Sequence, residues 1–88
     1  MAETAEHRVK RLYMRSIRRG IKEMDLILSA FASDRLNQMD DAALTTYDAM
    51  LNENDHDLYH WVTGQVAAPP PYGALVADIQ GHIAQAAD

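Results

Sequence analysis

Ile21-Lys22-Glu23-Met24-Asp25-Leu26-Ile27-Leu28-Ser29-Ala30-Phe31-Ala32 is the stretch on which the fold class turns. Its apolar residues Met24, Ile27, Leu28 and Phe31 recur at steps of three and four, the spacing that stacks side chains on one helix face. Gly20 stands directly before it. Upstream of that glycine, Val9, Leu12, Tyr13 and Ile17, with Ser16, form a second apolar stripe. The two runs predict one helix over about residues 6–19 and another over about 21–32, with Ser33-Asp34 and Asn37 loosening the pattern beyond.

The same periodicity extends toward the C-terminus. Asp40 is a candidate N-cap, able to accept a backbone N–H of the first turn. Met39 and Leu44 occupy the positions of a hydrophobic staple. Leu44, Tyr47, Met50 and Leu51 then form a buried face, and the helix ends near residues 52–54. A fourth helix opens with Asp55 as N-cap, and Asp57 in its first turn suits the positive end of the helix dipole. Leu58, Trp61 and Val62 face inward, and Gly64 is the stop. Pro69-Pro70-Pro71 then breaks the helical pattern, because proline lacks the N–H and disfavours helix at the preceding residue. A last helix starts near Tyr72 on Leu75, Val76, Ile79 and Ile83, weakened at Gly81 by ~1 kcal/mol relative to alanine.

No stretch alternates with period two, so the expected fold is all-α, a small five-helix bundle. Its expected core is Leu12, Met24, Leu28, Phe31, Leu44, Tyr47, Leu51, Leu58, Trp61 and Ile79. Residues 1–88 read as a single domain, with 1–5 flexible and 84–88 frayed. Folding a domain of this size removes only about 60–65% of its surface from water. That leaves a thin core and little room for a deep pocket, which weighs against an enzyme. The absence of cysteine removes disulfides, thiolate metal sites and thiol catalysis. No apolar run approaches the ~18–20 residues that span a bilayer. The acidic start Met1-Ala2-Glu3-Thr4-Ala5-Glu6 reads as neither a secretory signal nor a transit peptide, so a cytoplasmic protein is expected.

The net charge of −5 conceals an asymmetry: seven of the eight basic residues lie from Arg8 to Lys22. Beyond Arg35 the charges are all acidic: Asp40, Asp41, Asp48, Glu53, Asp55, Asp57, Asp78 and Asp88. A basic segment joined to an acidic body suggests two surfaces that meet a partner differently.

Three places could carry chemistry. At Arg18-Arg19-Gly20-Ile21-Lys22-Glu23 two readings stand side by side. In one, Gly20 caps the second helix, Glu23 reaches back to its amide as half of a capping box, and Arg19 answers the dipole of the preceding helix. In the other, an arginine and a glutamate flank a bare glycine on an exposed corner that inserts into a charged cleft. The second place is the stripe Arg8, Arg11, Arg15, Arg18 and Lys22, which shares one face of a continuous helix. It is either a solvated flank or a basic surface; overall acidity and the lack of interleaved aromatics weigh against nucleic acid. The third is His56 and His60, one turn apart with Asp57 between them, as in zinc peptidase helices. His7 and His82 are lone, no third or fourth ligand has telling spacing, and no metal is expected. No catalytic residue stands out.

Arg19-Gly20-Ile21-Lys22-Glu23 resembles the RGxxE motif of the SdhE family, the succinate dehydrogenase assembly factors. Lys10-Arg11-Leu12-Tyr13-Met14-Arg15-Ser16 before it and Met24-Asp25-Leu26-Ile27-Leu28 after it are similar as well. The segment from Leu51 to Trp61 resembles the family's D-x-D-L-x-x-W pattern, carried here by Asp55, Asp57, Leu58 and Trp61. The resemblance covers about residues 10–62 and does not extend beyond Gly64. His56 departs from it, standing where many members carry proline at a first helical position. The residues Lys22-Glu23-Met24-Asp25 look most like the alphaproteobacterial and mitochondrial branch, and the lack of a presequence favours a bacterial, cytoplasmic source.

The resemblance implies a five-helix bundle that binds the flavoprotein subunit of succinate dehydrogenase, and in some cases of fumarate reductase. It implies promotion of the covalent attachment of FAD to a histidine of that subunit, with no FAD or other cofactor held stably by the factor itself. Arg19, Gly20 and Glu23 would lie at the contact, with Arg15, Arg18, Lys22 and Asp25 beside them. A monomer when free is expected. The competing reading is a basic-helix module for nucleic acid or an anionic membrane surface.

Overall fold

In the computed structural model, which describes residues 3–87, the chain forms five helices and one 3-10 turn. In order they are α1 Ala5–Ser16, α2 Lys22–Arg35, the turn Leu36–Gln38, α3 Asp41–Met50, α4 Asp55–Val62 and α5 Gly73–Ala87. No strand occurs among the described residues, and the architecture is the all-α five-helix bundle. No described helix is long and apolar enough to cross a membrane. Helix α1 starts on Thr4, whose hydroxyl accepts from the His7 N–H. Met1, Ala2 and Asp88, at the ends of the two stretches expected to be loose, lie outside the described residues.

The anticipated core residues are all buried. Met24, Leu28 and Phe31 of α2 meet Leu44, Tyr47 and Met50 of α3, Leu58, Trp61 and Val62 of α4, and Leu75, Val76 and Ile79 of α5 in one cluster. Leu36 and Tyr72 join it from connecting segments, where helical periodicity carries no signal. Asp40 caps α3 as anticipated, its carboxylate accepting from the Ala43 N–H at 2.8 Å. Gly64 takes φ of +80°, the left-handed conformation that ends α4.

Four local expectations are corrected. Helix α1 stops at Ser16 and not near Arg19; the chain unwinds at Ile17, and the next residues turn toward α4. Helix α2 runs on through Ser33 and Asp34 to Arg35, because Phe31, Ala32 and Leu36 continue the buried face. The N-cap of α4 is Asn54, whose side chain accepts from the His56 N–H, while Asp55 is already helical. Tyr13 is exposed at the α1 surface, so the apolar stripe of that helix reduces to Leu12 at its centre, flanked by half-buried Val9 and Ile17.

Only Leu12 and Ser16 of α1 are buried, so polar contacts contribute much of what holds this helix in place. The Ser16 hydroxyl donates to the Leu12 carbonyl at 2.8 Å and lies 2.6 Å from the Tyr47 hydroxyl. With the single serine proton committed, tyrosine is the donor across the core. Burial pushes the Tyr47 phenol up to about 12, so it keeps that proton.

Candidate docking site

Only the first three residues of the basic stripe, Arg8, Arg11 and Arg15, are paired with acidic partners among the described residues, mainly on α3; Arg18 and Lys22 are not. Arg8 donates to Asp41 at 3.2 Å and to the Thr45 hydroxyl at 2.6 Å. Arg11 reaches Glu3 at 2.9 Å and Asp48 at 3.1 Å. Arg15 pairs with Asp48 and donates to the Asn52 side chain at 2.7 Å. The basic segment and the acidic body therefore meet each other, which corrects the expectation that each faces a partner separately. Each exposed pair contributes little to stability by itself; the row links α1 to α3 at three successive turns.

Asp48 gives this row a pH dependence. Its two arginines, Arg11 first through its hydrogen bond, hold the carboxyl below the ordinary value of 3.8. A group depressed in the folded state contributes stability that is complete above the unfolded pKa and is lost as pH falls through the folded one. Thermal melts on the acid side of about pH 4 should therefore decline less steeply for Asp48→Asn than for the parent. Parallel acid limbs would mean that the row contributes nothing.

Beyond Ser16 the chain reaches the motif. The Arg19 Nε donates to Asp55 Oδ1 at 2.7 Å, and its two terminal nitrogens reach the Leu51 carbonyl at 3.1 Å and the Glu53 carbonyl at 3.4 Å. The Gly20 N–H donates to Asp55 Oδ2 at 2.7 Å. Arg19 thus turns inward onto the α3–α4 connection, with a side chain only 11% exposed. A β-carbon on Gly20 would lie 3.1 Å from Asp55 Oδ2. Gly20 has no positive φ, so close approach, and not left-handed backbone, is what requires glycine here.

This geometry removes the punctuation reading of Glu23. The N-cap of α2 is Ile21, without a side-chain cap bond, and the Gly20 amide is already given to Asp55. Glu23 has nothing left to cap and stands exposed in the first turn of α2. Around it Arg18 and Lys22 are exposed and Asp25 is half-buried, and none of these four enters an ion pair among the described residues. Of the residues expected at a contact, Arg18 lies on the α1–α2 connection, and Lys22, Glu23 and Asp25 follow in the first turn of α2. Arg15 and Arg19 are committed to internal partners. Arg18, Arg19, Arg15 and Arg11 line a shallow groove beside the corner, with the 40% exposed Met14 among them. For Asp55, local sequence points only to helix capping; its place in the D-x-D-L-x-x-W segment is the one signal of more.

On α4, His56 is exposed and His60 half-buried, and no group of three potential metal ligands occurs among the described residues. His82 lies elsewhere, paired with Asp34 at 2.7 Å and set edge-on to Phe31.

Comparison with known proteins adds a profile described as flavinator of succinate dehydrogenase, which matches residues 10–83. The chain belongs to that family. The match spans both the Gly20 corner and Asp55, and it extends past the limit of the resemblance read from the motifs. Among its relatives, succinate dehydrogenase assembly factor 2 of Candida glabrata is 44% identical over 68 residues, which is 77% of this chain and 44% of the relative. The Meyerozyma guilliermondii protein of the same name is 43% identical over 77% of this chain and 50% of its own length. That of Drosophila grimshawi is 42% identical over 82% of this chain and 50% of its own. The chain thus spans about half the length of the flavinator-family relatives it matches. These relatives are named as mitochondrial proteins, which overturns the expected bacterial, cytoplasmic location.

Proposed function

We propose that the chain is an assembly factor that docks on the flavoprotein subunit of succinate dehydrogenase and promotes covalent attachment of FAD to a histidine of that subunit. A fumarate reductase flavoprotein is a second client by the same reasoning. One observation carries this reading. In a member of the flavinator family, Arg18, Lys22 and Glu23, next to Gly20 in sequence, are exposed and without an internal ion pair among the described residues. Such a segment offers charge of both signs beside the bare backbone of Gly20, which suits a charged cleft.

The role is conformational and not enzymatic. Attachment requires the histidine and the flavin 8α-methyl of the flavoprotein to be aligned. A factor that binds the aligned conformation more tightly than the others raises its population, and alignment of reacting groups is itself worth a large rate factor. The chain's own contribution is then to bind and orient its client, with the FAD belonging to the client throughout.

Deletion of the gene, followed by ultraviolet in-gel fluorescence of the flavoprotein, tests this directly. Covalent flavin fluorescence should be lost and should return when the full chain is restored. Undiminished fluorescence in the deletion would remove the proposal. The nucleic-acid or membrane alternative predicts instead a salt-steep interaction with DNA or anionic vesicles. Against it, Arg8, Arg11 and Arg15 already hold acidic partners within the chain.

A further inference from the structure

Much of what shapes the docking corner converges on one residue outside the RGxxE motif. Asp55 uses both carboxylate oxygens there, one for the Arg19 Nε and one for the Gly20 N–H, each at 2.7 Å. Its side chain is only 18% exposed. Arg19 carries the connection onward to the Leu51 and Glu53 carbonyls, so one guanidinium joins the end of α3 to the start of α4. The segment from Ile17 to Ile21 is not helical and has one other anchor of note, the packing of Ile21 against the core. Among the described residues, no hydrogen bond or ion pair links Arg18, Lys22 and Glu23 to set their spacing. The backbone sets it, and the backbone is pinned at Gly20.

We propose that Asp55 is the positioning residue of this corner: its carboxylate fixes the path of the chain between α1 and α2, and so the arrangement in which Arg18, Lys22 and Glu23 meet the flavoprotein. The inference rests on the docking reading above. Arg19 shares the positioning role, since its fork is consumed inside the chain. A carboxylate is required because two donors converge on it. The carboxamide of asparagine offers one acceptor oxygen and an NH2 that would face a donor. Glycine suits position 20 because a β-carbon there would press on the same oxygen at 3.1 Å, and the clasp would have to give by a few tenths of an ångström to admit it.

The test compares the full chain with Asp55→Asn, Arg19→Gln, the double variant and Glu23→Gln. Thermal melts, the dissociation constant for the flavoprotein subunit and covalent flavin content are read for each. Asp55→Asn is expected to stay folded at the assay temperature and to bind about tenfold more weakly or worse. The double variant should be no weaker than the poorer single, because both changes open the same clasp. In the free protein the Gly20 amide resonance should shift and exchange faster in Asp55→Asn and stay unchanged in Glu23→Gln, which loses affinity by a different route. A folded Asp55→Asn with full affinity, alongside an impaired Glu23→Gln, would overturn the positioning role and leave the docking reading standing. If both variants bind and flavinylate normally, the docking reading falls and the inference with it. Additive losses at Arg19 and Asp55, or flavin loss that merely tracks loss of the thermal transition, would also overturn it.

Discussion

Trp61→Ala is expected to leave little folded protein at physiological temperature. Trp61 is 7% exposed, and its ring stacks on Tyr72 with centroids 5.9 Å apart. The Trp61 carbonyl accepts from Gln80 at 2.9 Å, so its backbone ties α4 to α5 and its ring ties α4 to the segment that leads into α5. Truncating a buried tryptophan costs about 3–5 kcal/mol, the transfer loss plus the cavity left behind. A domain of this size has about 5–10 kcal/mol in total. The melting temperature should fall by more than about 10 °C, since one kcal/mol moves a domain this small by several degrees. Neighbouring Leu58, fully buried, belongs to the same structural group. An unchanged melting temperature in Trp61→Ala would mean that the ring does not serve the core and would make it a partner contact.

Gly20→Arg is expected to abolish flavinylation while leaving most of the bundle folded. Residue 20 is exposed, so the long side chain has solvent to enter, and the core lies elsewhere. Its β-carbon, however, would press on Asp55 Oδ2 at 3.1 Å, and that oxygen cannot yield freely because Asp55 is held by Arg19. The new guanidinium would compete with Arg19 for the same carboxylate and would cover the corner with positive charge. Both effects displace Glu23 and Lys22 from the arrangement that the docking reading requires. Thermal melts of the variant, paired with covalent flavin content when it replaces the deleted gene, separate the outcomes. Full flavinylation by a folded Gly20→Arg would defeat a docking surface centred on this glycine.

The residues that matter for folding and those that matter for docking differ in how far local sequence reveals them. Helices α2 to α5 are legible because each carries its own apolar period, and α3 and α4 have local start or stop signals in Asp40 and Gly64. Periodicity is a property of neighbouring residues, so it survives in the sequence alone. The core follows from it almost completely. Helix α1 departs from expectation at Tyr13 and at its end because a stripe with one fully buried apolar residue barely constrains where a helix faces or stops.

The candidate site is half legible. Short patterns around Gly20 and Asp57 suffice to suggest the family, and Glu23 is exposed. The sequence by itself determined the helical class, the core and the glycine corner, because each depends on residues within a turn or two of one another. Only the tertiary structure decided that Arg8, Arg11 and Arg15 are consumed by α3, that Arg19 faces inward, and that Asp55 closes on Gly20. Those pairings join residues 33 to 37 positions apart. Charge patterns show which groups could pair; the crossing of helices brings particular ones within hydrogen-bond reach, and no local spacing encodes that crossing.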